Sequence, residues 1–121
     1  MQDFKNLLVW QRAHALALGV NANIRRMPRA GTASLRSQLG RAADSIAANI
    51  VEGCGAASQR EFARYLDIAI KSASEAEYHV ITARDRLVMP REECTQAIED
   101  ITRLRRMLYS LRNKVLAATT D

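Results

Sequence analysis

The thirty residues from Ser58 to Leu87, SQREFARYLDIAIKSASEAEYHVITARDRL, decide the fold. Apolar or small side chains recur through Phe62, Leu66, Ala69, Ala73, Ala76, Val80, Ala83 and Leu87, in alternating steps of three and four. That spacing lines one seam of an α-helix and does not fit the two-residue repeat of a strand. Ser58 followed three residues later by Glu61 is a capping-box signature, so this helix should begin there.

The same rhythm extends outward in both directions. It runs through Trp10, Ala13, Ala17, Val20, Ile24 and Met27, then Leu35, Leu39, Ala42 and Ile46, and finally Cys94, Ala97, Ile101, Leu104, Leu108, Leu111 and Val115. Breaks fall between these runs. Pro28 to Gly31 interrupt the first pattern. Gly53 and Gly55 follow the second, where a glycine suits a left-handed helix end. Pro90 suits the first turn of the last helix, with Glu92 and Glu93 placed against its dipole. The spacing predicts helices over about 6–27, 33–52, 59–87 and 91–117. Connections this short make neighbouring helices antiparallel, so the expected fold is all-α: one domain over residues 1–121, an up-down-up-down four-helix bundle.

Two segments are more apolar than one core-facing stripe requires. Ala13 to Val20 is apolar nearly all round, and Tyr65, Ile68 and Ile70 lie outside the main seam of the third helix. Such surplus surface marks either a wide core stripe or a contact between subunits. Asn49 falls where the second helix expects an apolar residue; a buried Asn there must find hydrogen-bond partners and fixes register.

Charge is distributed unevenly. Between Asp3 and Asp44 the basic residues Lys5, Arg12, Arg25, Arg26, Arg29, Arg36 and Arg41 occur without one carboxylate, whereas from Asp44 onward the two signs nearly balance. The formal net charge of +5 therefore originates in the first third. A polyanion is the first partner to consider.

Several chemistries are disfavoured. Cys54 and Cys94 form no CxxC and no Cys/His cluster. His14 and His79 lack the Glu-x-x-His arrangement of di-iron bundles, because Gln11 and Ala76 stand three residues before them. Neither a glycine-rich phosphate loop nor a G-x-S-x-G elbow is present. Glu75 and Glu77 point about 200° apart on a helix and cannot pair by themselves. The expectation is a protein without catalytic residues, metal or cofactor. Nothing resembles a secretory leader or a membrane span, so a cytoplasmic location is expected.

Three segments carry a resemblance. They are Phe4-x-x-Leu7-x-Val9-Trp10-Gln11-x-Ala13, then Leu35-x-x-Gln38-x-x-Arg41-Ala42-Ala43-x-Ser45-Ile46-x-x-Asn49-Ile50-x-Glu52-Gly53, and Glu61-Phe62-x-x-Tyr65-Leu66-x-Ile68-Ala69-x-x-Ser72-x-x-Glu75-x-Glu77. Together they resemble the bacterial four helix bundle protein family, whose founding members are encoded in intervening sequences of large-subunit ribosomal RNA genes. The resemblance spans roughly residues 4 to 115. It implies a protomer that assembles into a closed homo-oligomeric ring, a pentamer in known members, of a family for which no enzymatic activity or cofactor is established. It also implies a structural role for Trp10, Gln38, Asn49, Glu52 and Gly53, and a likeness to the basic accessory protein of diversity-generating retroelements. Family members often carry two adjacent basic residues before the Ala-Ala of the central motif; here Gly40 precedes Arg41.

Two functional readings follow. The first is an oligomeric protein binding structured RNA, or DNA, through phosphate contacts from Lys5, Arg12, Arg25, Arg26, Arg29, Arg36 and Arg41. Because Lys5 and Arg12 can lie far from Arg36, Arg25, Arg26 and Arg29 form the tightest candidate cluster. The second is an oligomeric adaptor docking an acidic protein partner through Arg103, Arg105, Arg106 and Arg112, with Glu99 placed to pair with Arg103.

Overall fold

Four α-helices follow a short 3₁₀ turn at Phe4–Asn6: α1 (Leu8–Arg25), α2 (Ala33–Cys54), α3 (Gln59–Asp85) and α4 (Arg91–Ala117). These elements come from a computed structural model that describes residues 2–119, and no strand occurs among them. Each helix packs on its neighbour in sequence, and α1 also meets α4. Among the described residues no Cα atoms of the diagonal pairs α1/α3 or α2/α4 come within 8 Å, which is the arrangement of a four-helix bundle.

Side-chain pairs show that neighbours run antiparallel. Across α1 and α2, Asn21 meets Asp44 and Ile24 faces Gly40. Between α2 and α3, Ser45 meets Ser72 and Gly53 faces Phe62. From α3 to α4, Glu77 meets Arg105 and Asp67 meets Arg112. In every pair one number rises as the other falls. The core is a continuous apolar cluster in which Leu39, Ile46, Ile50, Leu66, Val80, Ile101, Leu104 and Leu108 are almost fully buried.

The helix ends differ from the expected ones in instructive ways. Ser58 does cap α3, its hydroxyl accepting from the Glu61 amide at 3.1 Å. The Glu61 carboxylate turns instead to Arg64 at 2.7 Å, so only half of a capping box forms. Pro90 is the residue before α4, not within it; its extended ψ of 140° leads into the helix. α2 runs two residues further than expected, and neither Gly53 nor Gly55 is left-handed. Gly53 lies inside the helix. A Cβ there would stand 2.8 Å from the Phe62 ring, so its small size sets the approach of α2 to α3 rather than a turn.

Asn49 and Ser45 account for the polar break in the α2 seam. The Asn49 amide donates to the Ser45 carbonyl at 2.8 Å and to its hydroxyl at 3.0 Å, and that hydroxyl is 2.8 Å from Ser72 on α3. This short chain crosses the helix interface and favours one register over its neighbours. The surplus apolar surface divides. Ala13, Leu16, Ala17, Val20 and Ile70 are core, Tyr65 and Ile68 are half-buried, and Leu18 is exposed.

Candidate nucleic-acid interface

Because successive helices alternate in direction, the α1–α2 turn and the α3–α4 turn share one end of the bundle. Two contacts hold them together. The Arg86 guanidinium donates to the Gly31 carbonyl at 2.8 Å, and Arg26 approaches Glu93 at 3.2 Å. Gly31 adopts φ +75°, the backbone conformation that glycine tolerates best, and so presents this carbonyl at the turn.

The α1–α2 turn is organised by Thr32. Its side chain is almost fully buried; the hydroxyl donates to the Pro28 carbonyl and accepts from Arg36 Nε at 3.0 Å. Arg36 is thereby half-buried and turned toward its own helix. Arg26 is also engaged, donating to the Ala22 carbonyl and to Asn23 Oδ1 in addition to its approach to Glu93. Arg25 and Arg29 differ. Both are exposed, and among the described residues neither has a carboxylate partner.

The antiparallel order brings further arginines that the search for an acid-free stretch missed. Arg84, Arg86 and Arg91 flank the α3–α4 turn at this same end. Arg84 is held by Asp85 at 3.0 Å and Arg86 by Gly31, while Arg91 is exposed with no carboxylate partner among the described residues. Across residues 25–36 and 84–93 the end carries seven arginines against three carboxylates, Asp85, Glu92 and Glu93. The signal was available in the sequence, since an up-down-up-down topology requires these two turns to meet.

The other expected cations do not join this end. Arg12 lies fourteen residues before Arg26 along α1, or about 21 Å of helix rise. Lys5 sits at the opposite end, where the Gln2 amide donates to the Cys54 carbonyl and Gln11 Nε2 to the Lys5 carbonyl. Its ammonium approaches Asp3 at 4.0 Å. Arg41 is exposed on the outer face of α2, more than two turns beyond Thr32.

The remaining motif residues fall into two groups. Trp10 is half-buried, edge-on to Phe4 at 4.9 Å and stacked on His14 at 5.0 Å, which fastens the 3₁₀ turn to α1. Gln38 and Glu52 are exposed; Gln38 donates to the Ser34 hydroxyl at 3.1 Å.

Elsewhere, arginines are used internally. On the α3–α4 flank Arg105 meets Glu77 at 2.7 Å and Arg112 meets Asp67 at 2.8 Å, so two cations of the adaptor reading are occupied within the fold. Arg103 pairs with Asp100 at 3.9 Å and not with Glu99. Both carboxylates are within helical reach, and the three-residue spacing prevails. Between α1 and α4 the helices part to leave a groove of about 380 Å³ floored by Leu16, Val20, Ala97 and Leu104.

Chemically reactive groups are sparse. Burial pushes the thiols of Cys54 and Cys94 above their usual range, with nearby Asp3 adding to the effect at Cys54, so neither is an activated nucleophile. Among the described residues no group of three or more His, Cys, Asp or Glu side chains is placed to hold a metal ion. No helix among them is long and apolar enough to cross a membrane.

Comparison with known proteins places this architecture. Residues 5–110 match the family described as 23S rRNA-intervening sequence protein. The chain is similar to the crystal structure of a protein of unknown function from the S23 ribosomal protein family of Bacteroides thetaiotaomicron. The TM-score is 0.81 at 25% sequence identity, covering 87% of this chain and 98% of that one. Among curated proteins none matches significantly.

Proposed function

Because the chain belongs to the 23S rRNA-intervening sequence protein family, we propose that it is a non-catalytic, self-associating cytoplasmic protein that binds structured RNA through phosphate contacts at the basic turn end of its bundle. One observation carries this reading: Arg25, Arg29 and Arg91 are exposed at one end without an intramolecular carboxylate partner among the described residues. Arginines in that state present full charge and several donors to a phosphate, and binding releases counterions from the nucleic acid. Arg25 and Arg91 stand on the end residues of α1 and α4 and Arg29 in the turn between α1 and α2, so their spacing favours a folded, regularly spaced phosphate array. Few aromatic side chains are present to stack successive bases of a single strand.

Self-association multiplies the effect. A ring of five copies, each with net charge +5, would carry +25, and the basic end would recur by symmetry. The groove between α1 and α4, with exposed Leu18 elsewhere on α1, supplies apolar surface for such a contact. Light scattering at micromolar concentration should give a multiple of 13.5 kDa; a mass near the monomer value contradicts assembly. The binding reading is tested by purifying the protein from its native cell at low salt, with and without nuclease. Co-eluting, nuclease-sensitive RNA is expected, and protein that elutes free of nucleic acid in both preparations contradicts the reading.

A further inference from the structure

At the tip of the α3–α4 turn the chain places a residue that neither backbone nor solvent favours. Leu87 has φ +60°, the only positive φ at a non-glycine residue among those described, and its side chain is 86% exposed. The helix ends there in a Schellman arrangement: the Leu87 amide donates to the Arg84 carbonyl at 3.0 Å and the Val88 amide to the Ala83 carbonyl at 3.0 Å. Position 87 is where such a motif ordinarily uses glycine, because a Cβ in this conformation crowds the following carbonyl. So exposed a leucine gains little burial to offset that cost. Its neighbours Val88 and Met89 turn inward, half-buried and buried respectively, while Leu87 projects outward.

The surroundings say what such a side chain meets. Arg86 adjoins it in sequence and reaches across to Gly31, and Arg84 and Arg91 flank the same turn. Arg29 lies two residues from Gly31 on the facing turn. An exposed apolar side chain at a bundle end that also carries the unpaired Arg29 and Arg91 fits a surface whose rim is anionic and whose interior is flat and apolar. A nucleic acid with an interrupted base stack is such a surface. Apolar side chains enter opened base steps while cations hold the phosphates on either side.

We propose that Leu87 is a wedge that inserts at an unstacked base, so that the basic end prefers RNA with a bulge over an uninterrupted duplex. The inference rests on the phosphate-binding reading above and adds a selectivity to it. Opening an intact step costs free energy that a bulge has already lost, so the wedge engages there first. Backbone conformations of this kind cluster at ligand-binding sites, and here the residue that adopts one is exposed at the tip of the turn.

The test compares two labelled RNA hairpins, one fully paired and one with a single-nucleotide bulge, by fluorescence anisotropy at low salt. The full chain should bind the bulged hairpin more tightly, by roughly ten-fold. Leu87→Gly should melt at a higher temperature, showing an intact fold, yet bind both hairpins with the affinity of the paired one and an unchanged salt dependence. Leu87→Met should retain the preference. Equal binding of both hairpins by the native protein, or a preference that survives in Leu87→Gly, overturns the wedge while leaving phosphate binding in place. Failure of the native protein to bind either hairpin removes both readings at once.

Discussion

Two sets of arginines in this molecule have opposite fates. Along the α3–α4 flank, Arg105 and Arg112 reach across the helix interface to Glu77 and Asp67 at 2.7 and 2.8 Å. At the turn end, Arg25, Arg29 and Arg91 extend into solvent with no carboxylate among the described residues to receive them. The residue type is the same in both places. What differs is the supply of carboxylates: α3 presents one to each of these α4 arginines, whereas at the turn end Glu93 and Asp85 engage Arg26 and Arg84 and leave Arg25, Arg29 and Arg91 without one. A count of basic residues therefore overstates the binding surface, and pairing separates the arginines that join helices from those left for a partner.

The largest expected effect removes the unpaired set. Arg25→Ala, Arg29→Ala and Arg91→Ala together should lower RNA affinity by about a hundred-fold at low salt, because each phosphate contact contributes nearly one unit of salt slope. Thermal stability should barely move, since exposed arginines without partners contribute little. A large loss of stability would show that these side chains have structural partners after all, and would remove the contrast between the two regions.

The reciprocal change concerns the flank. Arg105→Ala should destabilise the fold by about 1 kcal/mol, the upper range for a partly exposed ion pair, and leave RNA affinity within two-fold. Denaturant unfolding and the anisotropy assay read the two quantities separately. A drop in affinity comparable with that of the triple variant would place the flank in the interface.

Leu87→Gly sharpens the description of the turn end itself. Relief of the left-handed conformation should raise stability by about 1 kcal/mol, an increase read from the denaturant midpoint. No gain would indicate that the leucine has packing that offsets its backbone cost. A smaller effect is expected from Arg26→Ala, about a two-fold loss of affinity, because Arg26 is already engaged by Asn23 and Glu93. A loss as large as that from the unpaired arginines would show that its internal contacts open on binding.

Much of the architecture was legible from spacing. The apolar seam from Phe62 to Val80, the Ser58 cap and the break at Pro28 to Gly31 each reported a local preference that the packed fold also satisfies. Gly53 misled because a glycine near a helix end signals a left-handed turn, while here its value lies in a long-range approach to Phe62. Proximity to a residue on another helix leaves no local mark in the chain. For the same reason the acid-free stretch from Lys5 to Arg41 named seven cations but could not divide them. Arg36 is turned inward by Thr32, and Lys5 and Arg12 lie along or beyond the far half of α1. Arg84, Arg86 and Arg91 leave no charge signal in the sequence because nearby Asp85, Glu92 and Glu93 balance them. Leu87 continues the apolar spacing of the α3 seam, but the helix ends two residues earlier, at Asp85, and the side chain is exposed.

The central claim is that unpaired arginines at the turn end hold nucleic acid through its phosphates. It is tested most directly by the salt dependence of RNA affinity, measured for the native protein and for the variant lacking Arg25, Arg29 and Arg91. Log affinity should fall steeply and linearly with log salt in the native protein, with a slope shallower by roughly two to three units in the variant. Two identical slopes, or no binding by the native protein at low salt, would contradict it.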